Sequence, residues 1–131
     1  MAFNDLRSYL DWLEEDNQMV RVNEPVSVRF DIARHEEKHD GKKTVFFENV
    51  KDYDMPVVGN ILNNRRNIAR VLGTAEGPEL SHRIIAAAGN PLPTKLVENA
   101  PFKEVRFVGP DVDLLKQIPN PKQMIHLVHL I

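Results

Sequence analysis

A chain of 131 residues that is 42% hydrophobic and 27% charged has the size and composition of one folded domain, and excludes a disordered segment or two full domains. Seventeen Lys and Arg against 19 Asp and Glu leave a formal charge of −2, so no general attraction to nucleic acid or an anionic membrane is expected. The absence of cysteine removes disulfides, thiolate metal sites and cysteine nucleophiles together.

No apolar run approaches the roughly 18–20 residues of a membrane-spanning helix. The start, MAFNDLRSYL, lacks a basic stretch followed by an apolar core, so a cytoplasmic location is the default expectation. A first helix is predicted to start at Asn4, as cap, and Asp5, which suits the positive end of the helix dipole. Leu6, Tyr9, Leu10 and Leu13 make its apolar stripe, and it ends near Asp16. Met19–Val22 alternates and reads as a short strand with Val20 and Val22 inward. Residues 30–39 form a short helix with Phe30, Ile32 and Ala33 as its apolar members, stopped by Asp40 and Gly41. Thr44–Phe47 is β-branched and aromatic, a strand signal, and Asn49–Pro56 is turn chemistry. Val57–Leu62 is a further strand, with Gly59 marking a bulge or a close backbone approach.

Asn63 and Asn64 then open a helix with Ile68, Val71 and Leu72 on its apolar side and Gly73 at its end. Gly77-Pro78-Glu79 opens another, whose buried face is expected to be Leu80, Ile84, Ile85 and Ala88. Six of the nine prolines lie between Pro91 and Pro121, which indicates extended chain running over the surface. Within it, 102–108 reads as a strand through the alternation of Val105 and Phe107 with Glu104 and Arg106, and 111–115 as a helical turn. Residues 122–131 form an unusual apolar tail with one Lys and no acid.

Four clusters invite a chemical reading. His35-Glu36-Glu37-Lys38-His39 matches H-E-x-x-H, in which two His one turn apart bind zinc and the Glu acts as general base. The charged intervening Glu37 and Lys38, and the helix stop directly after His39, favour a coincidence on an exposed helix. Asn63, Asn64, Arg65 and Arg66 at a helix start, with Arg70 a turn later, suit an anion, although a solvated charged face accounts for them as well. His126 and His129 are spaced i, i+3 but have no carboxylate near them. Glu48, Asp52 and Asp54 surround a turn where acidic residues are expected anyway. None of these makes a catalytic set, and no nucleophile elbow, phosphate loop or dinucleotide fingerprint occurs. The residues by themselves leave no catalytic, cofactor-binding or metal-binding side chain to name.

A series of segments points further. Asp5-Leu6-Arg7-Ser8-Tyr9-Leu10, then Val20-Arg21-Val22 with Glu24-Pro25-Val26, then the stretch FENVKDYDMPVVGN from Phe47 to Asn60, then Asn64-Arg65-Arg66 with Ala69 and Leu72-Gly73, and last Asp111-Val112-Asp113-Leu114-Leu115 occur in one order. That order resembles the N-terminal region of the UbiD-like carboxy-lyases over about residues 4–119. The resemblance implies an N-terminal α/β domain of a reversible, non-oxidative decarboxylase of aromatic and α,β-unsaturated carboxylic acids. It implies a family cofactor, prenylated FMN with manganese and potassium at its phosphate, whose ligands lie downstream of the matched region. The catalytic Glu-Arg-Glu set lies downstream too, so no catalytic, cofactor or metal residue carries over onto this chain.

Family members continue after Asp-Val-Asp-Leu-Leu with Pro-x-Pro and a His-containing, acidic, Gly-rich stretch. Here Pro119-Asn120-Pro121 leads instead into the apolar tail, which suggests a truncation, a frame-shifted end or a stand-alone subunit.

The expectation is therefore an α/β (α+β) fold: about four helices on a small mixed sheet, in a domain over 1–121 followed by the atypical tail 122–131. The expected core is Leu6, Leu10, Leu13, Val20, Val22, Phe46, Val58, Ile61, Ile68, Leu72, Ile84, Ile85 and Phe107. The expected role is that of a decarboxylase domain silent by itself, binding no cofactor alone and docking on a cofactor-bearing domain or subunit. The rival expectation is a non-enzymatic module that self-associates through its tail. Neither involves nucleic acid or membrane.

Overall fold

The computed structural model describes residues 3–98, 104–119 and 121. Helix α1 spans Leu6–Glu15 and is followed by strand β1, Met19–Val22. Its cap is Asp5, one residue later than expected. The Asp5 carboxylate accepts the Ser8 amide N–H at 2.8 Å, and the Ser8 hydroxyl accepts the Asp5 N–H at 3.3 Å. That reciprocal box explains the choice of Asp5, because only it has Ser at the third helical position. The Ser8 bond also holds the Asp5 carboxyl below the usual carboxylate range.

Helix α2, Asp31–His39, crosses between β1 and strand β2, Thr44–Phe47, and packs on β2. β1 and β2 pair in parallel, Val20 opposite Val45. Strand β3, Val57–Gly59, pairs antiparallel with β2, Phe46 opposite Val58, so the mixed sheet has the order β1-β2-β3. β2 is thus the central strand, and its residues Thr44, Val45 and Phe47 are buried, as a strand covered on both faces requires. Val22, Val26, Ile32, Val45, Phe47 and Val50 form the principal core cluster, joined by Val28, Tyr53 and Val57.

β3 stops at Gly59, three residues short of the expected strand. Asn60 takes a left-handed backbone (φ 56°), and its side-chain amide donates to the Glu36 carbonyl at 2.7 Å. Gly59 itself is the close approach its position suggests: a Cβ there would lie 2.0 Å from Glu36 Oε1. The chain then returns to α1, where the Tyr9 hydroxyl donates to the Ile61 carbonyl at 2.8 Å. Burial pushes the Tyr9 phenol up to about 12.

Helix α3, Arg65–Leu72, starts at Asn64, whose side chain accepts the Asn67 amide, and ends at Gly73 in the left-handed region (φ 66°). Helix α4, Pro78–Gly89, follows and packs on α3. Beyond it, 91–98 is irregular and exposed, as the prolines foretell. A 3-10 turn at Gly109–Asp111 and a four-residue helix α5, Leu114–Gln117, complete the described chain. The Tyr53 hydroxyl donates to the Leu115 carbonyl, which ties this stretch to the β2–β3 turn.

Several expectations need correction. The fourth strand is absent from 104–108, which carries no ladder partner, while 102–103 lie outside the described residues. Leu13 and Val22 are buried as expected, but Leu10, Val20, Phe46, Val58, Ile61, Ile68 and Leu72 are only half-buried. Leu6, Ile84, Ile85 and Phe107 are exposed. Phe47, rather than Phe46, fills the core between β2 and α2, while Phe46 lies under the Arg21 guanidinium, 4.8 Å from its ring centre. Ala88 is exposed with the two isoleucines, so of the expected α4 face Leu80 alone is buried. Among the described residues no helix is long and apolar enough to cross a membrane.

Candidate functional site

Of the three named residues of the H-E-x-x-H stretch, His35 and Glu36 pack against the sheet from α2. His35 meets Phe47 edge-on with ring centres 5.7 Å apart, and its Nε2 lies 3.9 Å from Glu24. Glu36 turns toward the Gly59 backbone, and desolvation raises its carboxyl above the ordinary value. Desolvation, with Lys38, His35, Lys42 and Lys43 adding positive field, lowers His39. A helix packed on the central strand turns His35 and Glu36 toward the sheet, not into a cleft. Among the described residues no three His, Asp or Glu side chains gather where they could hold a metal ion.

The acidic turn separates in the same way. Glu48 pairs with Arg21 at 2.6 Å, and Arg21 also grips Glu14 at 2.6 Å, which joins α1, β1 and the end of β2. Asp52 and Asp54 stand exposed in the turn, Asp52 at φ 70°. His126 and His129, and the tail as a whole, lie outside the described residues.

The Asn-Asn-Arg-Arg stretch does come together with other elements. Asn63 donates to the His39 and Lys43 carbonyls at 3.3 and 3.2 Å, while Asn64 caps α3. Arg65 is exposed. Arg66 binds Asp16 at 2.8 Å, and Arg70 stacks over Trp12 at 5.3 Å. An open groove of about 400 Å³ lies here, bordered by Trp12, Asp16, Arg66, Arg70, Thr74 and Glu76. Its two guanidinium groups face two carboxylates, and the side chain of Asn64 already occupies one N–H at the helix start. The groove is therefore close to neutral and does not form an anion cradle from these arginines. Thr74, on the same groove, has a buried hydroxyl without a hydrogen-bond partner.

A flavin phosphate with its cations needs clustered carboxylates or free helix N–H groups around a deep pocket. Among the described residues no three such side chains gather for a cation, and the groove beside α3 is open rather than deep, so this donor set does not fit the prenylated flavin of the resembled family.

What the residue patterns did not reveal is the outer face of α4. Ile84 and Ile85 are 49% and 69% exposed, and Leu92, Leu96 and Phe107 follow them into solvent. Among the described residues, apart from Leu6, Phe30, Met55 and Leu62, every large exposed apolar side chain lies within 84–98 or 104–118. The available signal was the breadth of the α4 apolar stripe, which exceeds what one small sheet can cover.

Residues 10–87 match the family model of the 3-octaprenyl-4-hydroxybenzoate carboxy-lyase N-terminal domain. Among solved structures, the chain is similar to the UbiD-class enzyme HmfF from Pelotomaculum thermopropionicum in complex with FMN, with a TM-score of 0.77 and 33% identity over 89% of this chain and 26% of that one. It is similar to an evolved dimeric form of the same enzyme in complex with prFMN, with a TM-score of 0.78 and 32% identity over 92% and 28%. It is also similar to the vanillic acid decarboxylase of Sedimentibacter hydroxybenzoicus in open form, with a TM-score of 0.69 and 29% identity over 91% and 28%. The chain thus spans about a quarter of the length of the solved enzymes it matches.

Proposed function

Because the chain belongs to the family of UbiD-type carboxy-lyase N-terminal domains, we propose that it serves as the N-terminal domain or subunit of a non-oxidative decarboxylase of aromatic or α,β-unsaturated carboxylic acids, without turnover of its own. The observation that carries this reading is the match itself: a family domain over residues 10–87, in a fold shared with enzymes of which it covers 26–28%. The chemistry supports the same division of labour. Loss of carbon dioxide from such acids leaves electron density that needs a sink, which side chains do not supply and a flavin does. It also needs an acid or base and a cation for the carboxylate in one dry pocket. His35, Glu36, Glu48, Arg66 and Arg70 are each engaged with the fold or with one another, and the groove beside α3 is open. Prenylated FMN, manganese and potassium therefore belong to another domain or subunit.

The test is direct. The purified chain is incubated with prenylated FMN, manganese and potassium, passed through gel filtration, and assayed for carbon dioxide release from a panel of cinnamate-, furoate- and hydroxybenzoate-type acids. The expected outcome is no co-eluting flavin and no release above the protein-free control. Stoichiometric flavin with turnover by the chain alone overturns the proposal.

A further inference from the structure

Helix α4 has the pattern of an interior helix. Leu80, Ile84, Ala87 and Ala88 recur at i, i+4, i+7 and i+8, with Ile85 beside them, while Glu79, His82 and Arg83 take the other side. A stripe this wide, well over 100° of the circumference, marks a helix meant to be covered. Yet Leu80 is buried and the rest of the stripe faces solvent. Single exposed apolar residues are ordinary; a run of them along one helix, continued by others over 92–118, marks a contact surface.

We propose that the α4 stripe is the docking surface for the cofactor-bearing part of a UbiD-class enzyme. This rests on the functional reading above. Two observations select that occupant. About three quarters of each solved relative lies outside the part matched here, since the chain covers 26% and 28% of them. The stripe itself is uncharged and calls for a dry apolar surface of the kind found between domains that stay together. A second copy suits it less well. Twelve residues make a stripe about 18 Å long, on the order of a few hundred Å², short of the ~800 Å² per partner of a stable dimer. In the chain alone α4 is held only by Leu80 and its packing on α3, so it is less protected than the central strand.

Hydrogen exchange and sedimentation of the full chain give the first test. The expected result is a monomer in which α4 amides exchange at least ten times faster than those of β2. A dimer that protects α4, or α4 amides as slow as β2 in a monomer, overturns the proposal. The double variant Ile84→Asp with Ile85→Asp is expected to melt within about 2 °C of the parent, because neither side chain belongs to the chain's own core. A drop of 10 °C overturns it.

The partner is tested by a chimera in which this chain replaces the matching quarter of the Pelotomaculum thermopropionicum enzyme. Flavin retention and turnover are expected in the parent chimera and in a Leu62→Asp control. Both are expected to fall at least tenfold in the Ile84→Asp, Ile85→Asp chimera. An inactive parent chimera overturns the functional reading together with this partner. An active parent and an equally active double variant overturn the docking surface alone.

Discussion

At the scale of single residues, the contact between Glu36 and Gly59 sets the join of α2 and β3. Glycine is required there by space, since a side chain would meet the Glu36 carboxylate. Gly59→Ala is expected to push that carboxylate into water at a cost of about 1 kcal/mol, because the obstacle is the end of a flexible chain and not backbone. In a Glu36→Ala background the same substitution is expected to be close to neutral, and a double-mutant cycle by urea unfolding measures the difference.

The raised Glu36 carboxyl has a definite sign. A group whose folded pKa lies above its unfolded one adds stability below the unfolded value, and that stability is lost as pH rises through the folded value. Glu36→Gln is therefore expected to stabilise the chain at pH 7 relative to the parent, with the advantage shrinking as pH falls through the raised folded value and absent below the unfolded value of 4.5. An advantage that grows on acidification contradicts the desolvated placement. Asp5 has the opposite sign: its cap contribution is present above the unfolded carboxylate value and fades as pH falls. Ser8→Ala removes the reciprocal half of the box, and a fall of a few degrees in melting temperature is expected near pH 7.

At the scale of elements, the strands and the first three helices are local events that the tertiary structure keeps. Their signals are short-range: apolar alternation for β1, β-branched and aromatic residues for β2, Asn64 and Gly73 at the two ends of α3. Where the pattern misled, it misled about the partner. Phe46 and Phe47 both suit a strand, and only the packing of α2 on β2 makes Phe47 the interior one. Helix α4 shows the same limit more sharply. Leu80→Ala is expected to cost about 2–4 kcal/mol by leaving a cavity beside α3, whereas Ile84→Ala is expected to stay within about 0.5 kcal/mol in the chain alone. Denaturant unfolding of both variants checks the contrast, and equal losses contradict the exposed placement of Ile84.

At the scale of the whole molecule, the candidate site was legible mainly as a set of residues with ordinary duties. Glu36 packs against Gly59, Glu48 pairs with Arg21, and Arg66 pairs with Asp16, duties that the letter patterns do not state. The groove that gathers Trp12 from α1 with Arg66 and Arg70 from α3 had no signature in the chain order, because residues about fifty positions apart meet only through the fold. The face that matters most to the proposed role was visible as an apolar stripe and assigned to the core. A hydrophobic stripe states that a surface is to be covered and says nothing of what covers it.

By itself the sequence determined the family and the order of the helices and first three strands, since these depend on side-chain identity at fixed local spacing and on caps, turns and strand formers. The tertiary structure decided which strand face is interior, where β3 stops, that 104–108 forms no strand, and that α4 turns its isoleucines outward. Those outcomes depend on how much apolar surface one three-stranded sheet can enclose, and that quantity exists only once the chain has packed.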